Sequence, residues 1–472
     1  MTASREQFSS RLGFILAAAA SAVGIGNLVG FPVNAAKNGG AAFLLIYALC
    51  LILVCLPVVM AELAAGRNSG KNPLGTYLHF SNNSVLGVFG GWLVLITPYM
   101  IAVFYAVITL WLLGYLFAVV GGNLDALANP DYFSQFTNNP TTLFYLLLIA
   151  VMVGGILYFG VKDGIERSSK IMMPALFVML LGLVAFVLTR DGAMAGVKYY
   201  LVPDISKINA QVLNGAMSQA FFSLSLGMGI LITYGSYMSK QASIPYSAKM
   251  VALTDTSVAF IAGLMMIPAV FSYNPATDPA ELSDSSLSLI FSYLPHIFLD
   301  MQHSVGYVGA SVVAAIFFLL ALFAALSSLV SIIEVPLAAV MDQKGYSRNR
   351  ALAVIGLSLT LAALACALSL GMVGFLTELL PYNGSSHSLF EVISDVFYDT
   401  ILPLNGFLIC VLVTWHWRKA NLNAELELGA DNYRGSLLER YTSFALSVLI
   451  PIVLLFVFIN TVLNKFFNSS LI

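Results

Sequence analysis

At 472 residues, 59% hydrophobic and only 9% charged, with a mean hydropathy of +0.89, the chain is not an ordinary soluble domain, where about a quarter of residues are charged. The net charge of −2 offers no electrostatic argument for a nucleic-acid partner. The apolar runs last roughly 20 residues or more without period-two alternation, so the fold class is an all-α integral membrane protein and not a β-barrel.

The polar tip at residues 1–10 feeds into an apolar segment too long for a cleaved leader, and the chain reads as mature. Span 1 is predicted over 12–36 and span 2 over 41–65, joined by the tight hairpin Lys37-Asn38-Gly39-Gly40. A loop with Arg67, Lys71 and Pro73 leads to span 3, over 85–120. The stretch 121–142 has acids but no Lys or Arg and reads as an external loop. Spans 4 and 5, over 143–161 and 171–188, are joined by a basic loop at 162–167. Span 6 follows over 211–238 and span 7 over 251–272. Residues 274–302 are rich in acids around an apolar patch at 289–299, which predicts a re-entrant external loop with helices. Spans 8 to 11 are predicted over 305–341, 351–373, 389–415 and 441–463, a total of about eleven. Cys50, Cys55, Cys366 and Cys410 lie in or beside apolar runs without metal-ligand spacing, so they imply small core or lipid-facing residues and no disulfide.

Cations fall in loops of one parity: Arg5 and Arg11, Arg67 and Lys71, Lys162 with Arg167 and Lys170, Lys344 with Arg348 and Arg350, and Arg418 with Lys419. The opposite loops hold few beyond Arg190, Lys198 and Lys207, which predicts a cytoplasmic N-terminus and an external C-terminus.

Two spans carry glycine-punctuated interruptions. In span 1 it is Ala20-Ser21-Ala22-Val23-Gly24-Ile25-Gly26-Asn27, and in span 6 it is Ser225-Leu226-Gly227-Met228-Gly229. Open backbone in hydrocarbon costs several kcal/mol per unsatisfied group, so a break persists only where protein, water or a ligand meets its N–H and C=O groups. Breaks five spans apart are the spacing of inverted repeats around a midplane binding site in secondary transporters. The competing reading is that the glycines only allow close helix packing.

The residues around these breaks also carry a family resemblance. Arg5, Arg11-Leu12-Gly13, Ala22 to Asn27, Phe31-Pro32 and Asn38-Gly39-Gly40 resemble the first helix of the neurotransmitter:sodium symporter family. Gln219-Ala220-Phe221-Phe222-Ser223-Leu224-Ser225-Leu226-Gly227-Met228-Gly229 in span 6, and Ala325-Leu326-Ser327-Ser328 with Glu334 in span 8, extend the resemblance in order and at the expected spacing. It implies a leucine-transporter-like fold: a gate segment at 1–10, inverted five-helix repeats at 11–190 and 209–418 with helices 1 and 6 broken, and span 11 within 436–467.

A half-helix N-terminus carries free N–H groups and partial positive charge, which suits the backbone at Ile25 and Gly26 to a carboxylate. The resemblance adds the hydroxyl of Tyr105 to that site. It also implies two sodium sites, for which a broken helix supplies uncharged oxygen donors. The first would use the Ala22 carbonyl, Asn27, Ser223 and Asp255, with Thr254 as the alternative to Asp255. The second would use carbonyls of Ala20, Val23 and Ala324 with the hydroxyls of Ser327 and Ser328. Chloride is not expected, because Ala259 stands where chloride-dependent members place a hydroxyl and Asp255 is itself anionic.

Monoamine carriers of the family have aspartate where this chain has Gly24, so the substrate implied is an amino acid with its own carboxylate. The side-chain pocket would be Ile101, Phe222, Ser225, Met228, Ser328 and Ile332, which points to a neutral, apolar amino acid. The implied gates are Arg5 with Asp342 and Tyr237 inside, and Phe222 with Asp395, or Asp399, outside. Gly30 replaces the arginine that the family pairs with the outer aspartate, and Lys37, almost two turns on, is the substitute considered.

The expected function is sodium-coupled symport by alternating access in a bacterial inner membrane, with the substrate and the lipid bilayer as partners and monomer or homodimer both open. Rival readings are a carrier of another zwitterion or osmolyte, one driven by protons, and a ligand-binding sensor. An enzyme is not expected, since no nucleophile, base and oxyanion group converge.

Overall fold

The computed structural model describes residues 6–273, 287, 289–430 and 432–469. Among these, eight helices are long and apolar enough to cross a bilayer, and the pair Arg11–Ala22 and Gly26–Lys37, bent by 62°, makes a ninth. The other two predicted spans are shorter pieces. Span 4 is the helix Thr142–Tyr158, and span 6 is Ala210–Ser223 and Ile230–Gly235 on either side of a break. Length and composition thus support eight or nine spans and leave the count of eleven open.

Span 3, Val85–Val120, begins where the Ser84 hydroxyl accepts the Gly87 N–H, and it contains Pro98. Proline removes one N–H and leaves the carbonyl four residues earlier, that of Val94, without its helical partner. Gly229 packs there: a Cβ on it would lie 3.3 Å from the Val94 oxygen. Span 3 packs most extensively on span 8, Gln302–Lys344, and both touch span 4. Span 9, Arg348–Leu368, completes that group. Spans 1, 2, 6 and 7 form a second group around the two breaks.

Span 2 and the second half of span 6 meet backbone to backbone. A Cβ on Gly66 would fall 1.9 Å from the Ile232 carbonyl oxygen, and one on Gly235 would fall 2.4 Å from that of Leu63. Gly66→Ala must therefore push two helices apart, and overpacking of this kind costs about 1–3 kcal/mol or more. The variant is expected to melt several degrees below wild type in detergent, whereas Gly154→Ala, with nothing within 4 Å of the new methyl group, should melt at least as high.

Three predicted loops are structured. Residues 162–167 form the wide-turned start of span 5, Val161–Glu166, which runs into Arg167–Val187. The stretch is tied to the N-terminal segment: Glu6 accepts the Val161 N–H at 2.7 Å, and buried Glu166 accepts the Ser9 N–H at 2.7 Å and the Lys170 ammonium at 2.6 Å, while Lys162, Asp163 and Arg167 are exposed. Arg67 sits in the last turn of Leu56–Ser69, buried, 2.6 Å from Glu425 of the helix Lys419–Glu427. The helix Pro73–Ser81, capped by Asn72, fills the rest of that connection. The apolar patch of the acidic stretch forms helices Leu289–Tyr293 and Leu294–Asp300, while 274–286 and 288 lie outside the described residues. All four cysteines are buried and unpaired.

Candidate functional site

The break in span 1 is narrower than its glycines suggest. Val23 still donates to the Ala19 carbonyl at 2.8 Å, but its ψ of 108° turns the chain out of the helix. Helical dihedrals return at Ile25, and Gly26–Gly30 forms a wide turn. Asn27 stabilises the opening: its Oδ1 accepts the Gly24 N–H at 3.1 Å. Its Nδ2 donates to Ser223 Oγ at 3.0 Å and to Asp255 Oδ1 at 2.7 Å, and Ser223 donates to Asp255 Oδ2 at 2.7 Å. One residue from each of spans 1, 6 and 7 thus closes a buried oxygen-rich cluster. Thr254 is half-buried and makes no hydrogen bond to it.

On the other side of the break, Ser328 donates to the carbonyls of Val23 at 3.1 Å and Ser21 at 3.2 Å. Ser327 instead bonds back to the Ala324 carbonyl at 3.0 Å. Ser225 reaches the Ser21 carbonyl at 3.4 Å, and the buried Ser21 hydroxyl has no hydrogen-bond partner. Ala20 and Ala22 are buried in the same turn. The site therefore has a carbonyl at Ser21, and a chain from Tyr234 through Ser331 to the Ser327 carbonyl, that the sequence reading did not include.

The side expected to meet a carboxylate lies where span 3 approaches the break. Ile25 donates its N–H to Tyr105 Oη at 3.4 Å. A Cβ on Gly24 would lie 2.9 Å from that same hydroxyl and 3.0 Å from Ser328 Oγ, while one on Gly26 would meet nothing within 4 Å. Gly24 is thus confined and Gly26 borders open space. Ile101, Met228, Ser328 and Ile332 are buried, and Phe222 is half-buried. Ser225 adopts φ +53°, unusual for a residue with a Cβ, which turns span 6 out of its helix.

Glu62 and Asn405 are further residues of this region absent from the sequence reading. Glu62 accepts the Gly227 N–H and Asn405 Nδ2 donates to the Gly227 carbonyl, each at 2.9 Å. The detectable signal was the acid inside span 2, since an ionisable group within a span is a functional candidate by default.

Of the predicted inner gate, Arg5 lies outside the described residues. Asp342 accepts the Asn72 backbone and side-chain N–H groups, each at 2.9 Å. Tyr237 donates to Glu334 at 2.8 Å, and Glu334 pairs with Arg348 at 2.6 Å. A cavity of about 1180 Å³ opens on this face, lined in part by Glu6, Lys71, Asn72, Asp342 and Arg348.

At the opposite end the suggestion that Lys37 serves Asp395 does not hold. Asp395 is held by Lys465 at 2.7 Å and by the Tyr382 hydroxyl at 2.7 Å. Tyr382 belongs to a two-stranded hairpin, Leu380–Tyr382 with Ser385–His387. Burial, its bond to Asp395 and the nearby acids hold its phenol protonated, well above the usual tyrosine range. Tyr398 stacks on Phe222 with ring centroids 5.0 Å apart.

The sequence profile of the sodium:neurotransmitter symporter family matches residues 5–129 and 133–469. An uncharacterized sodium-dependent transporter of Bacillus subtilis, YhdH, is 32% identical over 463 residues, 97% of each chain. An uncharacterized sodium-dependent transporter of Methanocaldococcus jannaschii is 32% identical over 427 residues, 87% of this chain and 82% of its own. The sodium- and chloride-dependent taurine transporter of Bos taurus is 25% identical over 85% of this chain and 74% of its own. Among solved structures, MhsT in complex with L-phenylalanine is similar at a TM-score of 0.82 and 38% identity, covering 96% of this chain and 99% of that one.

Proposed function

From the premise that the chain belongs to the sodium:neurotransmitter symporter family, we propose that it carries a neutral, apolar amino acid across a bacterial inner membrane together with sodium, by alternating access. The observation that carries this reading is the double use of one break. Val23 to Asn27 faces the Asn27–Ser223–Asp255 cluster on one side and Tyr105 with Ser328 on the other. A hard cation needs several oxygen donors, and an amino-acid carboxylate needs N–H and O–H donors beside it.

In this reading Ala22, Asn27, Ser223 and Asp255 hold one sodium ion, and Asp255 supplies the anionic charge that makes chloride unnecessary. Ala20, Val23, Ala324, Ser327 and Ser328 hold the second. The orphan Ser21 hydroxyl and the carbonyls gathered by Ser328 suit this second ion, because each is an oxygen donor already buried. Spans 3, 4, 8 and 9 act as scaffold, and spans 1, 2, 6 and 7 move against them with the N-terminus on the cytoplasmic side.

Ile25 and Tyr105 receive the substrate carboxylate, and Ile101, Phe222, Met228 and Ile332 receive its side chain. The L-phenylalanine in the MhsT structure supports an apolar amino acid, and the taurine carriers make a sulfonate zwitterion the competitor to test. Melting temperature is the readout. An apolar amino acid at 100 times its Kd should stabilise by about 2.7 kcal/mol, and only with sodium present. Stabilisation by taurine alone, or equal stabilisation in potassium, would contradict the proposal.

A further inference from the structure

Asp395 and Asp399 lie one helical turn apart on the wide-turned stretch Ser394–Ile401 of span 10. Like charges at that spacing repel. Lys465, in the last turn of Ile450–Phe467 of span 11, places its Nζ 2.7 Å from Asp395 and 2.8 Å from Asp399, so one ammonium bridges both acids and offsets their repulsion. Tyr382 adds a bond to the second oxygen of Asp395. Between the two acids in the chain stands Tyr398, whose ring stacks on Phe222 and meets Phe104 edge-on at 6.0 Å. The segment that Lys465 pins is therefore the segment that carries the aromatic cover of the pocket. At the span 1 position nearest in role, Gly30 has no side chain to offer, and its carbonyl is taken by Asn34.

We propose that Lys465 is a positioning residue for substrate closure: it holds Ser394–Ile401 so that Tyr398 stays stacked on Phe222. An ion pair anchored between spans 10 and 11 differs from one between spans 1 and 10. It need not break when span 1 moves, so closure on this face rests on the aromatic stack and not on a charge pair remade in each cycle. The inference rests on the transport reading above for its substrate, but its accessibility readout does not depend on transport.

The test uses the full chain in proteoliposomes and in detergent, with a reporter cysteine at Gly26→Cys, where an added Cβ meets nothing within 4 Å, and with kinetics measured on the chain without the reporter; the four native cysteines are buried. Lys465→Met should raise the rate at which a membrane-impermeant thiol reagent modifies the reporter about fivefold to tenfold. KM for the substrate should rise by a similar factor, with kcat changed less than twofold, and Lys465→Arg should restore both. A variant whose reporter reacts at the wild-type rate with an unchanged KM would overturn the proposal, as would a matching fall in kcat with KM intact. Where Lys465→Met gives no monodisperse protein, Asp395→Asn with Asp399→Asn removes the anchor without leaving an unpaired acid. The same rise in reporter reactivity is expected, and an unchanged rate overturns the proposal. If wild type transports nothing, the transport reading fails, while reporter reactivity still decides the role of Lys465.

Discussion

Asp255→Ala is expected to abolish sodium-driven uptake while leaving the protein folded. Asp255 accepts from both Asn27 and Ser223, and all three are buried. Removing it takes the acceptor of the buried Ser223 hydroxyl, at a cost of about 1–3 kcal/mol, takes one of the acceptors of Asn27, and takes away the one charge in the cluster. Since 1.4 kcal/mol is a factor of ten, apparent sodium affinity should fall at least about a hundredfold. Asp255→Asn keeps an oxygen and the shape but not the charge, so it should fall between the two. Sodium titration of uptake, or of the sodium-dependent melting shift, measures both. Wild-type sodium affinity in Asp255→Ala would remove the cluster from the mechanism.

The second large effect belongs to Gly24. Its added methyl group would lie 2.9 Å from Tyr105 Oη, closer than real Cβ contacts allow, and a tight 3.0 Å from Ser328 Oγ. Tyr105 is a stiff ring and must swing away, which breaks its bond to the Ile25 N–H. Ser328 must turn from the Val23 carbonyl. Gly24→Ala is thus expected to raise KM at least about tenfold, the loss of one charge-assisted hydrogen bond. Gly26→Ala meets no protein atom and should fold as wild type, narrowing the space beside it. Uptake kinetics of the pair separate the readings. Equal KM values for Gly24→Ala and wild type would show that the carboxylate does not lie there.

The interruption in span 1 was legible because two glycines and an asparagine are out of place in an apolar run. Its width was not, since the Asn27 side chain caps Gly24 and lets the helix resume early. Asn27, Ser223 and Asp255 were reached through family resemblance, and the fold brings them within hydrogen-bonding distance. Backbone acceptors such as the Ser21 carbonyl look alike in any sequence, so they could not be singled out. The charged stretch at 162–167 read as a loop because charges favour water. The N-terminal segment supplies the partners that let it be helical instead. Arg67 with Glu425 and Lys465 with Asp395 are pairs far apart in the chain. A lysine at the end of the last span looks like an ordinary interfacial residue until the fold places it against two acids.

The most direct measurement is uptake of labelled apolar amino acids into proteoliposomes under an inward sodium gradient, compared with an inward proton gradient at equal potassium on both sides. The account predicts accumulation above equilibrium with the sodium gradient alone, unaffected by replacing chloride with gluconate, and none with the proton gradient alone. Accumulation driven by protons without sodium, or tight binding with no uptake or counterflow under either gradient, would contradict it.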